Sequence, residues 1–195
     1  MDFIMSAYAI NKLLRHLGFL LLLVSGHANA ESFSVESAQI DPIGNGYVLT
    51  AEIKYPLSLR VIEALDNGIP ITFQKQFELI GPDSLLGKYW PWKQTLWSIE
   101  ISNELRYLAL TQQYLLIDLD TDYRRYFSSL DDALKSLGEV NNLILPPEYI
   151  AEPEGLILRL RSGLNLHALP TPMRPGALIS SKWQLTSPWV EAQWH

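Results

Sequence analysis

Cysteine is absent from all 195 residues. That removes disulfide staples, the acylated cysteine of a lipoprotein anchor, a thiol nucleophile and cysteine-ligated zinc. Histidine is nearly absent: after residue 30 only His167 and His195 remain. Two imidazoles fall short of the three or four ligands that zinc needs. His167 follows a leucine-rich segment and is expected to serve a hydrogen-bonded structural role, and His195, at the C-terminus, is expected to fray. No G-x-S-x-G elbow and no S-x-x-K pair is present, so nucleophilic catalysis finds no motif. Long apolar runs are missing too: "LGFLLLLVSG" (17–26) is about half the ~20 residues that a spanning helix requires. Neither repeats nor low-complexity tracts occur.

What is present begins with targeting. Lys12 and Arg15 precede the apolar run, and "HANA" (27–30) ends with small residues at Ala28 and Ala30. A basic region, a short apolar core and an A-x-A site describe a secretory signal peptide. Cleavage is expected after Ala30, leaving Glu31 as the first residue of a periplasmic protein. The alternative, a retained anchor, is opposed by Arg15-His16, which cut the apolar run short. Removing Lys12, Arg15 and Asp2 from 15 basic and 21 acidic side chains leaves 13 against 20. An acidic domain with no basic patch beyond Arg124-Arg125 and Arg159/Arg161 repels nucleic acid. Residues 31–195 suit one domain, and a chain of that size buries roughly 70% of its unfolded surface, enough to fold without staples.

Alternation of period two dominates this part. Tyr47, Leu49, Ala51, Ile53 and Tyr55 share one face of "YVLTAEIKY", and Trp97, Ile99 and Ile101 share one face of "TLWSIEIS". In "LILRLRSGLNL" (156–166), leucines alternate with Arg159, Arg161 and Asn165. One buried and one wet face is the habit of antiparallel sheets. Further strands are expected at 33–40, 70–79, 104–110, 113–120 and 183–187, with a turn at "DPIGNG" (41–46). Lys75 falls on the apolar face between Phe73 and Phe77, which predicts a bulge, strand end or edge there. Two short helices are expected. "LSLRVIEALDNG" (57–68) ends at Asn67-Gly68, and "SSLDDALKSLG" (128–138) opens with Ser129 three residues before Asp132. The fold class predicted is mostly β: an antiparallel β-sandwich, immunoglobulin-like in character, with two short helices.

Candidate chemistry is sparse. Asp118, Asp120 and Asp122 imitate the start of a calcium loop, but Tyr123 stands where glycine is required and Ser129 where glutamate is. A solvated strand face, with Ile117 and Leu119 inward, explains them better. Glu52, Glu78, Glu100 and Glu104 lie on predicted strands, but a carboxylate pair for hydrolysis is the least favoured reading. The aromatics say more. Trp97 reads as core. "GKYWPWK" (87–93) places Tyr89, Trp90 and Trp92 around Pro91 in a loop, where they either anchor a ligand or plug the end of the sandwich.

From "NLHALPTPMRPGALISSKWQLTSPW" (165–189), with "YVLTAEIKYPLSLRVIEALDNGIPITFQKQFEL" and "LRYLALTQQYLLI", the chain resembles a domain family of unknown function. Its members are exported proteobacterial proteins, sometimes labelled proline-rich signal-peptide proteins and often encoded beside a nitrogen-regulation-type sensor kinase. The resemblance implies an envelope partner and brings no catalytic residue or cofactor.

The function expected is a non-enzymatic periplasmic protein-interaction module with no cofactor or metal. Its partner would be an envelope or inner-membrane protein, and its contacts Tyr89, Trp90, Trp92 and Arg174. The alternative is a glycan- or peptidoglycan-binding module using the loop tryptophans. "LHALPTPMRP" (166–175) contains P-x-x-P, but it reads as a stiff crossing between strands, anchored by Leu169 and Met173, with Arg174 left for a partner.

Overall fold

Alternating segments pair into two sheets in a computed structural model that describes residues 32–82, 93–150 and 153–195. The strands are β1 (Ser34–Ile43), β2 (Gly46–Lys54), β3 (Ile71–Pro82), β4 (Lys93–Leu108) and β5 (Gln113–Asp118). They continue with β6 (Arg124–Phe127), β7 (Glu139–Ile144), β8 (Ile157–Leu164), β9 (Val190–Glu191) and β10 (Gln193–Trp194). One sheet has the order β10-β1-β2-β7 and the other β6-β5-β4-β3-β8-β9. Pairing is antiparallel except between β1 and β10. The protein is mostly β, with the two sheets contributing to one sandwich-like core.

The core follows the alternation. Ile40, Leu49, Ala51 and Ile53 from the smaller sheet meet Phe73, Phe77, Leu79, Leu105, Leu158 and Leu160 from the larger. At its centre the ring of Phe33 lies 4.8 Å edge-on to Tyr55 and 5.9 Å over Phe73. Aromatic pairs at these separations add about 0.5–1.5 kcal/mol beyond the area they bury. β1 and β2 join through Gly44 and Asn45, with φ of 56° at Gly44 and the pair Ile43–Gly46 closing the hairpin. Glycine at the first turn position gives the primed turn whose twist suits a hairpin.

Helix α1 (Leu59–Asp66) is capped by Ser58, whose Oγ accepts from Val61 N and donates to Lys182 O. Asn67 and Gly68, the latter at φ 77°, end it. Helix α2 (Leu130–Gly138) is capped by Ser129, which accepts from Asp132 N at 3.1 Å. Its Gly138 has a different reason from the turn glycines: a Cβ there would run into the carbonyl oxygen of Ile53 in β2.

The structure departs from the sequence reading in several places. A third helix, α3 (Arg174–Ile179), begins inside the proline segment, which is therefore not an extended crossing. Leu166–Ala168 forms a 3-10 turn and Met173 N donates to Pro170 O. Pro175 then sits in the first turn of α3, where its missing N–H has no partner to lose. Leu169 is buried, as its anchoring role requires. Residues 183–187 are not a strand. Trp183, Leu185 and Ser187 alternate inward, but the segment meets β8 through a single Gly163–Thr186 bridge, the backbone bonds Leu164 N to Leu185 O and Ser187 N to Ser162 O, and side-chain bonds from Ser162 N to Ser187 Oγ and from Thr186 Oγ1 to Ser162 O. The C-terminus is tied down, since β10 pairs with β1 and His195 N donates to Ile40 O. No helix among the described residues is long and apolar enough to cross a membrane.

Candidate functional site

Two polar groupings lie on opposite faces of β3, because successive side chains of a strand point to opposite sides. Inside, Lys75 is 6% exposed and belongs to a central strand, with β4 on one side and β8 on the other. It is neither at a bulge nor at an edge, since register shifts only at Leu79/Ile80. Its Nζ donates to Asn103 Oδ1 at 3.1 Å. Asn103 lies on β4 opposite Phe73, and Asp118 on β5 lies opposite Asn103. Burial pushes the Lys75 ammonium down to about 8, Arg125 pushes the same way, and Asp118 opposes them. Across the strand pair from Lys75 is Ser162, 1% exposed. Ser162 Oγ donates to Gln74 O and lies 3.0 Å from Tyr55 Oη. Burial raises the Tyr55 phenol well above its usual range. The Tyr55–Ser162 contact bridges the two sheets, whereas the Lys75–Asn103 bond lies within the larger one.

The outer face carries a ladder of amides and charges. Gln74 and Gln76 both donate from Nε2 to the Glu100 carboxylate, at 2.8 and 2.9 Å. Gln76 Oε1 accepts from Arg161 Nε at 2.7 Å. Arg159 donates from Nε and Nη2 to Glu78 Oε2 at 2.9 and 2.6 Å. Both guanidinium carbons lie 4.5 Å from the centre of the Trp189 ring, a cation–π arrangement. Beside Arg161 opens a cleft of about 230 Å3, walled by Gln74, Gln76, Gly163, Leu164, Gln184 and Thr186, among others. Gly163 is at the outward position next along β8, and a Cβ there would stand 3.0 Å from Thr186 Oγ1.

Two grooves border the helices. One, about 490 Å3, lies between β2 and α2. Ile53, Tyr55, Pro56 and Leu134 line it, with Glu52, Lys54, Asp131 and Lys135. The other, about 470 Å3, lies between α1 and the α3 region and includes Pro172, Met173, Ala177 and Trp183.

Of the expected contacts, Tyr89, Trp90 and Trp92 lie outside the described residues, as do Ala28, Ala30 and Glu31. Arg174 is half-buried and its Nε donates to Leu169 O at 2.7 Å, so it fastens the start of α3 to the preceding turn. The groove beside it is lined by its neighbours Pro172 and Met173 instead. The acidic triplet is not a strand face: Asp118 ends β5, and Asp120 and Asp122 lie in the turn that follows. Asp118 Oδ1 accepts from Asp120 N and Thr121 N, Asp120 Oδ2 accepts from Ser102 N, and Leu119 is exposed. His167 is exposed, and its backbone N–H, rather than its ring, is what donates to Asn165 Oδ1. Glu78, Glu100 and Glu104 are engaged by Arg159, by Gln74 with Gln76, and by Arg106. Among the described residues no group of three His, Asp or Glu side chains is placed to hold a metal ion.

Sequence reasoning missed Asn103, Arg161 and Trp189 as partners in these groupings. A signal for Asn103 was available. In one strand it falls in phase with Trp97, Ile99, Ile101 and Leu105, but reading 95–102 and 104–110 as separate strands hid that phase.

The fold therefore defines a class, an antiparallel two-sheet protein whose charged and amide side chains are tied into structural networks. The model of the family described as Domain of unknown function (DUF4390) matches residues 30–193, and the chain belongs to that family. No curated protein and no solved structure matches it.

Proposed function

We propose that the protein is a non-enzymatic interaction module, exported to the periplasm, that binds an envelope or inner-membrane protein such as a membrane sensor kinase. The groove between β2 and α2 carries this reading. Its lining is mostly apolar, with Ile53, Tyr55, Pro56 and Leu134 forming the floor and Glu52, Lys54, Asp131 and Lys135 supplying charge. An apolar centre with a polar rim is the anatomy of a protein contact, where a few buried anchors supply most of the energy. The engagement of Glu78, Glu100 and Glu104 by neighbouring side chains further favours binding over catalysis.

The test places a photo-crosslinking amino acid at Leu134 in intact cells. The expected result is an adduct to one envelope protein that disappears when Pro56→Glu is added. No adduct, or the same adduct from the exposed position Leu110 at the β4–β5 turn, contradicts the proposal.

A further inference from the structure

We propose that the cleft beside Arg161 binds the C-terminal carboxylate of a peptide. This site is separate from the β2–α2 groove, so it stands or falls independently of the function proposed above. Arg161 is an arginine prepared for a ligand. Gln76 Oε1 holds its Nε and the Trp189 ring lies against its guanidinium, which fixes the plane of the fork. Its two terminal nitrogens have no acceptor, and it has no carboxylate partner, among the described residues. Arg159, two residues away, differs because Glu78 already occupies it. A guanidinium held by one edge and open at the other matches a carboxylate bidentately.

The surroundings select more than charge. Gln74 Nε2 is spent on Glu100 and Gln184 Nε2 on Leu178 O, which leaves the side-chain oxygens of both glutamines without a donor among the described residues. Both line the cleft, and an amide oxygen there accepts the N–H that precedes a peptide's last residue. Leu164, Leu166 and Trp183 supply apolar wall for one side chain. Gly163, with no side chain, lets Thr186 close against β8 as one wall, and the whole cleft, about 230 Å3, has room for one amino-acid residue. The acidic balance of residues 31–195 gives little long-range attraction for an anion at physiological salt, so recognition rests on these local groups.

The experiment is an NMR titration of the 15N-labelled chain with N-acetyl-leucine, N-acetyl-leucinamide and glucuronate. N-acetyl-leucine is expected to shift the amides of Gln74, Arg161, Gly163 and Thr186 saturably, with the other two probes at least tenfold weaker. Arg161→Gln is expected to weaken the acid at least tenfold. Arg159→Gln, which removes the neighbouring cation outside the cleft and leaves Trp189 and Arg161 in place, should leave its affinity within twofold. The proposal is overturned if the acid causes no saturable shift, if its amide binds equally, or if folded Arg161→Gln binds like the wild type. Equal binding of glucuronate overturns the peptide assignment.

Discussion

On the inner face of β3, the Lys75 ammonium is held by one amide oxygen, that of Asn103, and closed off from water. On the outer face the Gln76 amide oxygen holds the Arg161 guanidinium in the same way, beside an open cleft. The same pairing has opposite consequences. Burial removes hydration that one neutral hydrogen bond does not replace, and the lysine responds by giving up its proton more readily. The Arg161 guanidinium is only half-buried and opens onto the cleft, where water still reaches it. A cation sealed inward on this sheet costs stability, and on the outer face Arg159 is taken up by Glu78 while Arg161 has no carboxylate partner among the described residues.

Packing around the inner cation should dominate any attempt to break this contrast. Phe73→Ala removes a fully buried ring touching Phe33 and Tyr55, and is expected to cost about 3–5 kcal/mol in urea unfolding.

The inner charge itself comes next. Burial lowers the folded Lys75 ammonium from the ordinary lysine 10.5 to about 8, so the unfolded chain binds more protons between those values. Stability should therefore rise with pH from 8 to 10, by about 2 kcal/mol, and Lys75→Met should abolish the rise. Above pH 10 Tyr55 acts the other way, since its folded phenol keeps a proton that the unfolded chain releases, and stability falls. Unfolding curves at pH 7, 8, 9, 10 and 11 check both signs.

The smallest effect belongs to the outer ladder. Arg159→Gln breaks a partly exposed pair with Glu78, and is expected to cost under about 1 kcal/mol in the same assay.

Alternation made the two faces of β2, β3, β4 and β8 legible from sequence, because burial of one side imposes it directly. The opening at Ser129 and the stop at Asn67-Gly68 were nearly as plain, since each serves local backbone. Long-range partners were not legible. That Lys75 reaches Asn103, or that Trp189 returns to lie beside Arg159 and Arg161, depends on register and on where the last residues cross the sheet. Helix α3 was hidden by its prolines, which read as extended chain unless one knows that Pro175 falls in a first turn. The short edge strands β6 and β7 have too few residues for a periodic signal to stand out.

The contrast between the two faces of β3 is tested most directly by titrating N-acetyl-leucine into two variants, Lys75→Met and Arg161→Gln, and following the Gly163 amide. The account predicts wild-type affinity for Lys75→Met, whose change is sealed inside, and at least tenfold weaker binding for Arg161→Gln. Loss of binding in Lys75→Met, or its retention in Arg161→Gln, would contradict it.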